Sequence, residues 1–258
     1  MKHNLFTFLL FNVFLFGQSF AQDSATTDFF AQIKKYDLST LLMTDSIFTE
    51  DREDTKEMVR RAEILGFIGV DYQRFYIHFI SIIQNPINPY EYFAYGKTKV
   101  RETICPFQGT ITIIQSGIYK SLEFPEYEQG FAICDVVLYE DKKQPSAGFI
   151  KGRLTSNFLI DNKGQFRYDA LMYHSDVFSN NEFSGNWISY KTGISKKCNW
   201  GDHRIPDCGD LDIGVAEFSV NDKYLKNGWE NYILSLFNNP VKPEVIKAKQ
   251  KENEQWWK

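Results

Sequence analysis

"RFYIHFISII" (Arg74–Ile83) is the stretch on which the fold turns. Phe75, Ile77 and Phe79 fall on one face of a period-two pattern, and Arg74, Tyr76 and His78 fall on the other. That alternation, in β-branched and aromatic residues, predicts a strand with one face turned to a core. A helix would need its apolar residues three and four apart.

The same pattern recurs along the chain. After the proline turn "NPINPYE", strand-like runs follow at "YFAYGKTKVRETI" (Tyr92–Ile104), "FQGTITII" (Phe107–Ile114) and "GFAICDVVLYE" (Gly130–Glu140). More come at "GFIKGRLTSNFLI" (Gly148–Ile160), "NEFSGNWISY" (Asn181–Tyr190) and "LDIGVAEFSV" (Leu211–Val220). The turn "DNKG" joins Ile160 to "QFRYDALMY", a hairpin signal with glycine where positive φ is easiest. Aromatic residues make up 16% of the chain, which favours strands. The connections are turn-length, with no helical crossovers. The expectation is a mainly β fold, an antiparallel barrel or sandwich of about eight strands. "FQGTI", "IKGRL" and "FSGNW" each place a glycine (Gly109, Gly152, Gly185) between apolar positions, as the coiled strands of a small barrel require.

The flanks differ. "DLSTLLMTDSIF" (Asp37–Phe48) reads as a strand or a short helix. "TEDREDTKEMVRRAEI" (Thr49–Ile64) has its acids early and its arginines late, which suits a short exposed helix, or a charged loop. "LGFIG" (Leu65–Gly69) ends it and leads into the body. Near the other end, "YLKNGWENYILSLFNNP" (Tyr224–Pro240) reads as a helix packing Trp229, Ile233 and Leu236 on the body. The division expected is 1–21 signal peptide, 22–70 N-terminal extension packing on the body, 71–238 antiparallel β domain, and 239–258 charged helical tail. Trp256 and Trp257 either dock that tail or offer it to a protein partner.

The signal assignment rests on "MKHNLFTFLLFNVFLFGQSFAQ". Lys2 precedes an apolar run, Leu5 to Phe16, and Ser19 and Ala21 place small residues at the cleavage positions. This predicts export, to the periplasm, the cell surface or beyond. No later segment is long and apolar enough for a transmembrane helix. The net charge of −4, without a basic stripe, argues against nucleic acid as a partner. In an oxidising compartment the four cysteines predict two disulfides. Cys198–Cys208 needs least from the fold, and Cys105–Cys134 requires neighbouring strands.

Dinucleotide-binding, Walker, HExxH and GxSxG motifs are missing, which weighs against the common enzymes that carry them. Arg74, Tyr76 and His78 share a strand face; they either hold an anionic or carbonyl ligand or simply bond to neighbours. Lys97, Lys99, Arg101, Lys151 and Arg153 alternate on two strands. They make a basic lumen if they face inward, or a solvated face, the commoner arrangement, if outward. His174 and Asp176, with Asp202 and His203, supply ligand types suited to zinc or another divalent metal. Asp207, Asp210, Asp212 and Glu217 could hold calcium, without the EF-hand order. "CNWGDHRIPDCGDLD" (Cys198–Asp212) reads as a disulfide-tied loop before the last strand. Arg204 and the aspartates would fix it, with Trp200 packed beneath. Rigid loops at the end of a β framework are where sites tend to sit.

"LGFIGVDYQRFYIHF" (Leu65–Phe79) and "CNWGDHRIPDCGDLDIGVAEF" (Cys198–Phe218) resemble segments of uncharacterised exported bacterial proteins, a resemblance that implies no activity. Gly185-Asn186-Trp187 is a G-x-W that resembles the motif of lipocalin-type and avidin-type barrels. In lipocalins the motif lies near the mature N-terminus and here it is late, so no ligand residues carry over. Trp187, with Trp200 and Arg204, is counted among the candidate ligand-binding residues. The function expected is non-catalytic binding or a structural role at the cell envelope, with no cofactor. A periplasmic metal-assisted hydrolase and a subunit of a surface assembly are the alternatives.

Overall fold

The computed structural model describes residues 25–51, 53, 55–120, 124–237 and 242–258. The expected signal peptide lies outside them.

In chain order the elements are β1 (Thr26–Asp28), α1 (Phe30–Ile33), α2 (Ser39–Met43), β2 (Ser46–Glu50), β3 (Lys56–Arg60), β4 (Leu65–Ile68), β5 (Gln73–Gln84) and β6 (Glu91–Val100). Then come β7 (Thr103–Tyr119), β8 (Tyr127–Glu140), β9 (Gly148–Asp161), β10 (Phe166–Tyr168), β11 (Asn180–Ser189) and β12 (Ser195–Asp202). Helices α3 (Glu230–Leu236) and α4 (Pro243–Glu252) follow. Strands β4 to β9, β11 and β12 each pair antiparallel with the next, and β12 pairs back on β4, with Ile68 opposite Cys198. Eight strands thus close into an up-and-down antiparallel barrel, which leaves no open edge.

Alternation decides which side chains fill it. Phe75, Ile77 and Phe79 of β5 point inward, as their spacing predicts. A register shift between Phe79 and Ser81 turns Ile82 inward as well. Gly152 and Gly185 are direct partners in the β9–β11 ladder. A Cβ on either would fall on the opposing backbone and on the Phe183 ring, so the glycines make room for that ring. Phe183 then stacks on Trp200, with centroids 3.7 Å apart.

Residues before the barrel plug one end. β1 adds to β7, and Ile33, Leu38, Leu41 and Leu42 join the barrel core. The plug is tied by hydrogen bonds. Leu38 donates its N–H to the Tyr92 hydroxyl, and Asn181 Nδ2 donates to the carbonyl of Leu41. A smaller apolar cluster lies outside the barrel wall, where Leu65 and Phe67 of β4 pack on Ile205, Leu211, Phe218 and Trp229.

Several boundaries differ from expectation. Ser46–Glu50 and Lys56–Arg60 pair antiparallel as β2–β3, where a short helix or a charged loop was expected over 49–64. Leu65–Ile68 is not a break but the first barrel strand, so the barrel begins inside the expected extension. The run 92–104 turns at Arg101, whose φ of 53° a bulky residue seldom adopts, so no glycine announced the hairpin. Leu211–Val220 is not a strand; only an isolated bridge joins Asp212 to Val220. The last barrel strand is therefore β12, which starts the segment expected to be a loop. The tail is helical over α4, as expected.

Candidate functional site

The unplugged end of the barrel opens into a cavity of about 690 Å³. Its turns are those after β4, β6, β8 and β11. Ile68, Phe75 and Trp187 supply an apolar wall, and Glu140, Thr98 and Cys105 supply the polar one. Below Phe75 the barrel is filled, because Phe75 stacks on Trp200 and Trp200 on Phe183. Trp200 is thus floor, and Trp187 is wall.

Glu140 is only 6% exposed. One carboxylate oxygen accepts from Thr98 Oγ1 at 2.6 Å. The other accepts from the Gly148 N–H at 2.8 Å and from Trp187 Nε1 at 2.9 Å. Among the described residues no basic side chain pairs with it. Buried carboxylates are usually paired, so three neutral donors and no cation is an unusual environment. The Cys105 thiol, which lines this cavity, is pushed up to about 11 by burial, with Glu140 and then Asp141 adding to the shift. It is therefore a protonated thiol at neutral pH. At the rim Lys196 Nζ sits 5.8 Å from the Trp187 ring.

The plugged end holds a second buried acid on the barrel wall. Asp202 is fully buried and takes a two-pronged hydrogen bond from Arg61, Nη2 to Oδ1 at 3.0 Å and Nε to Oδ2 at 3.1 Å. Tyr168 and Asn181 also donate to Oδ2. This corrects the expected grouping of Asp202 with the histidines: its side chain points into the barrel, away from them. His174, Asp176 and His203 do line one cavity, outside the wall, and both imidazoles pack edge-on against Tyr173. His174 Nε2 meets Glu57 at 3.0 Å. Among the described residues no three His, Cys, Asp or Glu side chains converge as a metal site. The aspartates considered for calcium are spent separately. Asp212 holds Arg204 at 2.5 Å, Asp210 takes Lys223 and Tyr224, and Asp207 meets Ser184. Arg204 and Asp212 do fix the loop, since Asp212 also accepts from Gly214 and Ser219.

Arg74, Tyr76 and His78 face outward, as their alternation predicts, and the tail covers them. Trp257 stacks on His78 at 3.7 Å, Trp256 meets Tyr76 edge-on, and Arg74 reaches Glu252 at 3.5 Å. Burial depresses the pKa of His78. Lys97, Lys99 and Arg101 lie on β6 or just after it, and Lys151 and Arg153 on β9, which is not its neighbour. Lys99 lies near the Tyr76 and Trp256 rings and Arg153 pairs with Asp135, so no basic lumen forms. A cleft of about 800 Å³ between the β2–β3 hairpin and Trp257 has its main polar groups paired: Arg61 with Asp202 and Arg60 with Glu63.

The expected disulfides do not form, and all four cysteines are free. Cys198 faces the barrel interior, while Cys208 packs with the outer cluster on the far side of the wall. Cys105 lies at the mouth, opposite Thr98, and Cys134 pairs with Ile113, well down the barrel. At about 3.3 Å per residue the β7 strand separates those two positions by roughly 26 Å, far beyond disulfide reach.

Sequence reasoning passed over Glu140, although a signal was present. Ala132, Cys134, Val136, Leu138 and Glu140 share one face of β8, so an acid falls in register on the core face. Comparison with family models, with curated proteins and with solved structures gives no match for this chain. Among the described residues no helix is long and apolar enough to cross a membrane.

Proposed function

We propose that this is an exported, non-catalytic binding protein that holds a small amphiphilic molecule in the mouth of its barrel. One observation carries the reading: the barrel is filled except at the mouth, where an aromatic wall faces a buried carboxylate with no cation of its own. An apolar body would lie on Ile68, Phe75 and Trp187. An amine or hydroxyl donor on the ligand would reach Glu140. Small eight-stranded up-and-down barrels are just wide enough for one such ligand, as in lipocalins and streptavidin. Shared architecture does not transfer a ligand, so the class comes from the lining alone. The protonated Cys105 thiol fits a binding role better than a nucleophilic one. Export rests on the Lys2, Leu5–Phe16 and Ala21 pattern of the sequence.

The test is a titration of purified protein with medium-chain primary amines, the matching alcohols and the matching alkanes, followed by tryptophan fluorescence and calorimetry. Amines or alcohols should bind, alkanes should bind more weakly, and Glu140→Gln and Trp187→Ala should each weaken binding with the fold intact. Failure of every probe, or equal binding to the Glu140→Gln protein, would sink the reading.

A further inference from the structure

A separate cavity of about 560 Å³ lies outside the barrel, between the wall, the Tyr173–Phe178 turn, α3 and α4. It collects buried polar atoms without partners. Arg74 is 1% exposed, yet its Nε and Nη1 find no hydrogen-bond partner among the described residues. Its guanidinium is caged by rings, 4.2 Å from that of Trp229, 4.9 Å from that of Tyr76 and 5.2 Å from that of Tyr232. Its one acidic neighbour, Glu252, meets it at a loose 3.5 Å and keeps Oε1 unpaired. His203 adds an unpaired Nε2, and burial lowers the pKa of that imidazole, so it is neutral at neutral pH. Its backbone stands at a φ of 61°, which costs a non-glycine residue strain.

Each buried donor or acceptor left without a partner destabilises the fold by the desolvation it has not recovered. Such a concentration of them in one cavity, around a side chain this buried, marks a place built to be occupied. The occupant's charge follows from what is unmet. A simple anion would satisfy Arg74, leave Glu252 Oε1 unmet and add a second negative charge beside it. A simple cation would do the reverse. The lining as a whole is nearly balanced, with bases Arg74, Arg204 and Lys249 set against Glu63, Asp176, Glu217 and Glu252. The remaining wall is apolar, from Leu65, Phe218 and Leu236. We infer that this cavity binds a free α-amino acid as its zwitterion. The carboxylate goes to Arg74, the ammonium group to Glu252, and an apolar side chain lies on Leu65 and Phe218.

Calorimetry on the full chain with leucine, N-acetyl-leucine and leucine amide tests this. Trp229, beside Arg74, gives a second, fluorescent readout. Leucine should bind, and both blocked forms should bind about tenfold more weakly or worse, since each loses one charged contact. Glu252→Gln, at a partly exposed position, should weaken leucine and leave N-acetyl-leucine unchanged. Arg74→Lys, which keeps the charge but not the planar fork, should weaken leucine and N-acetyl-leucine and leave leucine amide little changed. Absence of leucine binding at millimolar concentration, equal binding of the three compounds, or unchanged leucine binding to Glu252→Gln overturns the proposal. Results with the amphiphiles at the barrel mouth do not bear on it, because the two cavities have different linings.

Discussion

The two ends of the barrel each bury a carboxylate, on opposite terms. At the plugged end Asp202 meets the Arg61 guanidinium with both oxygens and takes two further donors. Arg61 also donates to the carbonyl of Leu42, so the ion pair fastens plug to barrel. At the mouth Glu140 meets a hydroxyl, an indole and a backbone N–H, all neutral, beside open space. One acid is committed to holding the chain together, and the other is satisfied while still presenting negative charge to a cavity. Burial alone does not separate the two, since both are under 10% exposed. What separates them is the partner.

The sharpest way to break this comparison is Asp202→Asn. An amide cannot accept from Arg61 with both arms and would leave a buried guanidinium half-paired. The expected loss is about 3–5 kcal/mol in denaturant unfolding. A loss below that of the Glu140 change would reverse the assignment of roles. Next in size is Asp169→Asn, also at the plugged end. Burial raises the pKa of Asp169 to about 6, against hydrogen bonds from Gln129 and Leu171 that oppose the shift. The fold therefore favours the protonated acid. That contribution is full below about pH 4, and it is lost as pH rises through about 6. An amide at this position has no charge to bury, so the variant should not show the loss of about 2–3 kcal/mol that the parent shows between about pH 4 and 7, although its amide gives up one of the two acceptors that Gln129 and Leu171 use. A variant that tracks the parent across that range refutes the shift. Glu140→Gln should cost about 1 kcal/mol or less, because a glutamine oxygen can take the Gly148 and Trp187 donors while its amide turns to the Thr98 hydroxyl. Its effect belongs in ligand binding. The smallest effect is a count. Unfolded without reductant, the chain should titrate four thiols, and in the native state the half-buried Cys208 should react before buried Cys105, Cys134 and Cys198. Two thiols in the unfolded chain would restore a disulfide and contradict the strand registers.

The barrel was legible where alternation was clean. β5, β8, β9 and β11 were visible because apolar and polar residues alternate over many positions. The β9–β10 hairpin was visible through Gly164, with its φ of 76°. What stayed hidden has physical reasons. Arg101 and Met172 adopt positive φ without the glycine that usually signals it. β3 reads as a short helix or a charged loop, because charges spaced for a helix dipole also suit an exposed two-stranded ribbon. Arg74, His174, Asp176, His203 and Arg204 were singled out and do line one cavity, but Asp202, one residue from His203, faces the other way. In a strand, neighbours in sequence are on opposite sides of a wall, and no motif records which wall closes. Cys198 and Cys208 show the same limit, since ten positions of chain say nothing about the sheet between them.

Ring closure also sets an order in time. β4, the first barrel strand to be made, pairs on one side with β12, the last. Until β12 is synthesised, Leu65–Ile68 holds only two register positions on β5, Phe67 opposite Arg74 and Ile68 opposite Gln73. A growing chain therefore carries seven strands of an open sheet with two bare edges, and it can shut only once residues 198–201 have been made. Long-range pairing of this kind is slow and leaves edges free to find other chains. The seam between β4 and β12 is where assembly finishes, and where a stalled or crowded chain would first go wrong.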